Sequence, residues 1–192
     1  DIRDFIWCKA REEEKAGALR DAGFDMSIDG EGFTSIQYQN ANNSVRVTDE
    51  FMHAVEADAE WALTARVTGE PVATVPAREL MRDVADAAWR CADPGVQFDS
   101  TINAWHTCPG AGRINASNPC SEYMFLDNTA CNLASINLMQ FRRNDATFDV
   151  ERFRNACRLF FIAQEILIDH ASYPTKRIAE NSHKFRPLGL GY

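Results

Sequence analysis

The sequence lacks both a long apolar run and any concentration of positive charge. None of its hydrophobic stretches approaches the ~20 residues that a membrane-spanning helix needs. Its 20 lysines and arginines are outnumbered by 28 acids, for a net charge of −8, and they form no cluster interleaved with aromatic residues. Because phosphate binding needs concentrated positive charge, we expect neither a membrane nor a nucleic acid as partner. The sequence shows no signal peptide, so the expected location is cytoplasmic.

Cysteine is present but sparse. Six cysteines in 192 residues are too few for a disulfide-stapled domain, and none forms a Cys-x-x-Cys motif. The four histidines do not follow a zinc-ligand pattern, and His106 with Cys108 is the one close His–Cys pair. We therefore predict no bound metal, and free thiols in a reducing compartment for Cys8, Cys91 and Cys157 in particular.

What the sequence does contain is enough apolar residues for a core, arranged in alternating strand-like and helix-like segments. Hydrophobic residues make up 45% of the chain, whose length suits one large domain or two small ones. Strands that alternate with helices favour an α/β arrangement with parallel strands, in an open sheet or a barrel. The spacing predicts helices over 1–22, from Thr48, from Pro76, from Asp149 to about His170 and from Thr175 to about Ser182, and strands over 44–47, 61–67, 71–75, 96–98, 131–138 and 186–192.

Other segments have weaker patterns. Residues 24–43 are predicted to form a long polar loop or a short hairpin, and residues 99–113 a loop. The amide-rich stretch 39–43 favours turn chemistry, with hydrogen bonding to a polar ligand as the alternative. In the long helix after Asp149, we expect the aromatic residues Phe153, Phe160 and Phe161 to lie in the core.

The stretch from Asn118 to Leu138 carries the densest chemistry of the chain. Asn118, Cys120 and Glu122 alternate, so an extended backbone would place them on one face. A carboxylate beside a thiol disfavours the thiolate, which argues against conventional nucleophilic catalysis, and a protonated thiol suits hydrogen-atom transfer instead. Glu122 could then act as a base toward a substrate hydroxyl while Asn118 hydrogen-bonds a second one. Cys131 would be a second thiol in the same neighbourhood.

The motif Asn-Pro-Cys-Ser-Glu (118–122) is followed, eleven residues after its cysteine, by Cys-Asn-Leu-Ala-Ser-Ile-Asn-Leu. Together they closely resemble the active-site segment of ribonucleotide reductase large subunits, most nearly the adenosylcobalamin-dependent (class II) ribonucleoside-diphosphate reductases. Segments 42–52, 105–109, 112–117 and 186–191 resemble further parts of that family, so the resemblance covers essentially the whole chain. The tyrosyl-radical (class I) large subunits are the alternative within the family.

The resemblance implies a role for each residue of the motif. Cys120 would become a thiyl radical, on a loop at the centre of a ten-stranded α/β barrel, and would abstract the 3′ hydrogen of the ribonucleotide. Glu122 would take the 3′-OH proton as the 2′-OH leaves as water, and Asn118 would hydrogen-bond the ribose hydroxyls. Pro119 and Ser121 would contact the substrate.

The resemblance also implies partners outside this chain. Cys131 would form a redox disulfide with an upstream cysteine that is not in this chain. Adenosylcobalamin would generate the radical, the substrate would be a ribonucleoside di- or triphosphate, and a thioredoxin-like protein would reduce a parent that is a monomer or homodimer. Residues 1–192 would be an internal fragment of the catalytic barrel, with no complete independent domain and no activity alone.

Two functions of other classes stay open on the residues alone. A thiol–disulfide oxidoreductase would exchange disulfides through Cys120 and Cys131, and it requires an exposed and reactive Cys120. A non-catalytic nucleotide-binding segment would leave Cys120 and Glu122 in separate environments.

Overall fold

Helices and short strands alternate along residues 2–192, the part of the chain that the computed structural model describes. Asp1, the first residue of the first predicted helix, lies outside the described residues. None of the helices in residues 2–192 is long and apolar enough to cross a membrane. Within these residues the helices are α1 (Ile2–Asp21), α2 (Glu31–Thr34), α3 (Asp49–Glu56), α4 (Ala77–Cys91), α5 (Asp99–Ala104), α6 (Val150–His170) and α7 (Lys176–Phe185), with 3₁₀ turns at Pro109–Ala111 and Leu138–Phe141. The strands are β1 (Ser44–Val47), β2 (Glu60–Thr64), β3 (Pro71–Pro76), β4 (Gly95–Phe98), β5 (Ala116–Ser117), β6 (Met124–Phe125), β7 (Asn132–Ser135) and β8 (Leu188–Gly191).

The chain divides into two compact units. The first comprises the chain up to Gly110 together with Ser117–Glu122, and the second comprises Ala111–Ala116 together with Tyr123–Tyr192. Each unit holds one parallel pair, β1 with β4 in the first and β7 with β8 in the second, whereas β2 and β3 pair antiparallel. The predicted mixture of helices and strands with parallel pairing is confirmed. The strands of residues 2–192 close no barrel, so the ten-stranded barrel stays a prediction.

A core of apolar side chains stabilises the first unit. Phe51 meets Trp61 edge to face, with 5.2 Å between the ring centroids. Leu80, Val84 and Ala87 are spaced along one face of α4, and all three lie in this core. The buried members of this core are Ile6, Ala10, Val47, Phe51, Ala77, Leu80, Val84 and Ala87.

Side-chain caps confirm three predicted helix starts. In each case a side-chain oxygen before the helix accepts a hydrogen bond from a backbone N–H in the first turn, which would otherwise lack a partner. The caps join Thr48 to Phe51 N at 3.3 Å, Asp149 to Arg152 N at 3.0 Å and Thr175 to Ile178 N at 3.2 Å.

Several features differ from the sequence prediction. The four-residue helix α2 lies within residues 24–43, for which the sequence predicts a long polar loop or a short hairpin. The six-residue helix α5 occupies the start of the predicted loop 99–113, because a short helix with one large apolar residue leaves no periodic signal. The prediction of a core for Phe160 and Phe161 is wrong for these residues, since the two side chains are 40% and 46% exposed. The buried positions of α6 are Gln164 and Ile168. Periodicity identifies apolar positions, but it does not say which neighbouring element covers them.

Replacing Thr48 by alanine should loosen α3, because the change removes the cap of its first turn. The loss should cost about 1 kcal/mol, which corresponds to roughly fivefold faster hydrogen exchange where exchange occurs by local opening. Hydrogen exchange of Asp49–Glu56, measured by mass spectrometry on the full-length protein, checks this. Thr74→Ala on the exposed surface of β3 is the matched control and should leave α3 unchanged. Equal exchange in Thr48→Ala and the wild type would contradict the prediction.

Candidate active site

The Asn-Pro-Cys-Ser-Glu motif forms a tight turn. Ser121 N donates to Asn118 O at 3.0 Å, which closes a four-residue β-turn with Pro119 and Cys120 at its centre. Proline suits the first central position because its ring fixes φ near −65°. Ser121 then adopts a left-handed backbone with φ 64°. The prediction of one extended face for Asn118, Cys120 and Glu122 is therefore wrong, because the backbone reverses between them. A turn is compatible with the loop that the family resemblance implies.

The reactive groups of this turn lie at the surface of the first unit. Cys120 is exposed, whereas the other five cysteines are half-buried, and none of the six forms a disulfide within the described residues. Glu122 is also exposed, and Asn118 is half-buried. The arrangement therefore offers an accessible thiol, a carboxylate two residues further along the chain and an amide at the start of the same turn.

Gln97 on β4 anchors this turn. Its Nε2 donates to Ser117 Oγ at 2.7 Å and to Ser121 Oγ at 3.0 Å. Ser117 Oγ in turn donates to Asn118 O at 2.7 Å. Sequence reasoning predicted the strand that carries Gln97 but missed the contact, because a glutamine 20 residues from Ser117 shows no local signal of its partner.

Cys131 lies in the second unit, directly before β7. Gly189 on β8 is the register partner of Leu133 on β7, and a Cβ at Gly189 would stand 3.8 Å from Cys131 Sγ and 2.8 Å from Leu133 Cδ2. Glycine at position 189 therefore lets the Leu133 side chain pack directly against the β8 backbone next to the thiol.

Tyr123, which sequence reasoning missed, lies within electrostatic range of Cys131 in the second unit. Thr129 Oγ1 donates its one proton to Leu126 O at 2.6 Å, so Tyr123 must be the donor in its 2.7 Å bond with Thr129 Oγ1. Burial raises the pKa of Tyr123, Thr129 lowers it because its hydroxyl can turn to donate to the phenolate, and negative charge on Cys131 raises it. The net rise keeps the phenol neutral and able to donate a hydrogen bond.

Metal-ligating side chains do not gather in the described part of the chain. No group of three or more His, Cys, Asp or Glu side chains within residues 2–192 could hold a metal ion. At the one close His–Cys pair of the sequence, His106 Nδ1 accepts a hydrogen bond from the backbone N–H of Cys108 at 3.3 Å.

Comparison with known proteins gives the family. Residues 1–192 match the model of the ribonucleotide reductase barrel domain. The whole chain is 62% identical to 19% of a vitamin B12-dependent ribonucleotide reductase of Rhodopirellula baltica, and 59% identical to 20% of one from Streptomyces coelicolor. Over 78% of its length it is 39% identical to 22% of the vitamin B12-dependent ribonucleoside-diphosphate reductase of Mycobacterium tuberculosis.

The chain therefore belongs to the ribonucleotide reductase barrel-domain family. It spans about a fifth of the length of the curated relatives it matches. The family resemblance of the sequence is thereby confirmed.

Thr129→Val should raise the pKa of Tyr123 further, because it removes the hydroxyl that can rotate to donate to the phenolate. A folded pKa above the usual value of about 10 stabilises the fold below that pH, and this contribution is lost as the pH rises through the folded pKa. Ultraviolet titration of the full-length protein against a Tyr123→Phe reference isolates this phenol. Thr74→Val should leave the titration unchanged, and a fall of the pKa in Thr129→Val would contradict the assignment.

Proposed function

We propose that the protein containing this chain reduces ribonucleotides to deoxyribonucleotides by thiyl-radical chemistry, supplying precursors for DNA synthesis. The observation that carries the proposal is the turn with exposed Cys120, flanked by Asn118 and Glu122, in a chain of the ribonucleotide reductase barrel family. The cited relatives are vitamin B12-dependent reductases, which favours the adenosylcobalamin (class II) form over the class I form. In this proposal residues 1–192 are part of a ten-stranded catalytic barrel and not an independent domain.

Each residue of the turn has its own role in the reaction at the ribose. Cys120, as a thiyl radical, takes the 3′ hydrogen atom, so that an S–H bond forms as the C–H bond breaks. Glu122 accepts the 3′-OH proton as the 2′-OH leaves as water, a task that suits a carboxylate within hydrogen-bond reach of the hydroxyl. The Asn118 amide can donate to one ribose hydroxyl and accept from another. Pro119 and Ser121 contact the substrate, a ribonucleoside di- or triphosphate.

Reduction of the ribose needs two electrons, which we assign to Cys131 and a cysteine outside this chain. Formation of a disulfide between two thiols releases two electrons and two protons, and a thioredoxin-like protein would restore the thiols by exchange. The half-buried Cys131 supports this role, because its thiol is partly accessible to a second sulfur, which must approach it closely. The parent protein would be a monomer or homodimer.

The radical at Cys120 must be generated by a group outside the described residues. An exposed thiol at the tip of a turn fits this requirement, since it can be reached by a separately bound cofactor. Adenosylcobalamin supplies a radical by homolysis of its cobalt–carbon bond. We assign no residue of this chain as its ligand. The six free thiols suit a reducing compartment, and we propose a cytoplasmic protein.

A thiol–disulfide oxidoreductase is the second candidate, and the exposure of Cys120 favours it. Such a protein would use Cys120 as the attacking thiol and would need no cobalamin. The two functions therefore make opposite predictions for the dependence of activity on the cofactor.

Cys120→Ser should abolish ribonucleotide reduction by the full-length protein, because a hydroxyl does not form a radical under conditions in which a thiol does. The wild type should form deoxyribonucleotide only with added adenosylcobalamin, as measured by chromatography of the nucleosides. Cys157→Ser on α6 is the matched control and should retain activity. Reduction by Cys120→Ser would contradict the radical role, and reduction without adenosylcobalamin would contradict the class II assignment.

Glu122→Gln should lower kcat for ribonucleotide reduction by about 10²–10⁴-fold, because the amide cannot accept the 3′-OH proton. KM should change less, since the glutamine keeps the size and hydrogen-bonding reach of the side chain. Steady-state kinetics of the full-length protein measure both constants. Glu151→Gln, an exposed glutamate in the first turn of α6, is the control. Equal kcat in the two variants would remove Glu122 from the mechanism.

A further inference from the structure

A buried polar network in the first unit connects an ion pair to the Cys120 turn. Arg46 on β1 donates from Nε and Nη2 to Asp99 Oδ1, at 3.0 and 2.6 Å, and from Nη1 to Gln97 Oε1 at 3.0 Å. Gln97 and Asp99 are 7% and 9% exposed. A buried ion pair held by several hydrogen bonds resists displacement, because movement of either partner leaves a charge uncompensated.

The strand pairing places the members of this network together. Arg46 and Gln97 are direct partners in the parallel register of β1 and β4. Asp99 follows Gln97 by two residues, directly after β4 and as the first residue of α5, which keeps its carboxylate close to the Gln97 amide. The guanidinium of Arg46 therefore meets both the amide and the carboxylate.

The direction of each hydrogen bond fixes the orientation of the Gln97 amide. Arg46 can only donate, so the amide atom that faces it must be the oxygen. The amide nitrogen therefore faces the turn, and its two N–H groups donate to Ser117 Oγ and Ser121 Oγ. Ser117 Oγ in turn donates a hydrogen bond to Asn118 O, the same carbonyl that accepts the hydrogen bond closing the β-turn.

We infer that Gln97 is a positioning residue for Cys120, because its amide holds the serines on either side of the Asn118–Pro119–Cys120 segment. Gln97 contacts the frame of the turn through Ser117 and Ser121, and Arg46 with Asp99 fixes Gln97 in turn. The inference rests on the proposed function. Hydrogen-atom transfer requires the thiol within a fraction of an ångström of its productive position, so a looser turn slows the chemical step more than it weakens substrate binding.

Two variants of the full-length protein test this role. Gln97→Leu removes all three hydrogen bonds of the amide with little change in size, and Gln97→Glu keeps an acceptor for Arg46 but loses both donors to the serines. Each should lower kcat for ribonucleotide reduction by about 10- to 100-fold, with a smaller change in KM. Each should also speed hydrogen exchange in the peptide spanning residues 117–123.

Val84→Ala is the control for a general loss of stability. Val84 is 3% exposed in the core of the first unit and takes no part in the polar network. The substitution should lower the unfolding temperature while leaving kcat within about twofold and exchange at 117–123 unchanged. An equal loss of kcat in Val84→Ala and Gln97→Leu would overturn the positioning role.

A double-mutant cycle identifies the route of the effect. Because Gln97 is inferred to act partly through Ser117, Gln97→Leu combined with Ser117→Ala should lower kcat by less than the product of the two single losses, whereas fully additive losses would overturn the inference. A wild-type protein that fails to reduce ribonucleotides with adenosylcobalamin would contradict the proposed function alone. In that case hydrogen exchange at residues 117–123 tests the positioning role separately. Unchanged exchange in both Gln97 variants would overturn this role.

Discussion

The parallel pairing of β1 with β4 is the constraint on which the candidate site depends. One face of this strand pair is apolar: Val47 is buried in the core, and Val45 and Val96 pack against that core. The other face is polar and carries the paired residues Arg46 and Gln97. A slip of one residue would exchange the faces, burying charge in the core and removing the amide from the turn. The hydrophobic core therefore fixes the register, and the register positions the polar network that supports Cys120.

Local signals predicted much of the fold, because a helix cap or an amphipathic face involves neighbours in sequence. Thr48, Asp149 and Thr175 were identified as helix starts for this reason. The turn at Cys120 was mistaken for an extended segment because its polar residues alternate, although Pro119 is a turn signal. Gln97 could not be assigned at all, since its contact with Arg46 joins residues 51 positions apart. The roles of the motif residues came from the family resemblance and not from spacing.

Helix α6 shows why an apolar pattern predicts burial only within a complete set of neighbours. Its buried Gln164 donates to Asn132 O at 2.9 Å and Gly189 O at 2.7 Å, so this side of the helix lies on the β7–β8 pair. Apolar residues elsewhere on the helix, including Phe161 and Leu167, are 46% and 55% exposed. A helix that is apolar on several sides is typical of the interior of a larger protein. This agrees with a chain that spans about a fifth of the length of its relatives.

Ser121 has an unfavourable backbone conformation, and its side chain makes a stabilising hydrogen bond. At φ 64° a non-glycine residue is disfavoured by roughly 1 kcal/mol, and glycine would adopt the same turn without that cost. The hydroxyl offsets part of it by accepting a hydrogen bond from Gln97. Replacing Ser121 by glycine would therefore remove the cost of the backbone conformation but would also remove one hydrogen bond. We expect serine and glycine to replace each other here in evolution more readily than at position 117, where the hydroxyl both accepts from Gln97 and donates to the carbonyl that closes the turn.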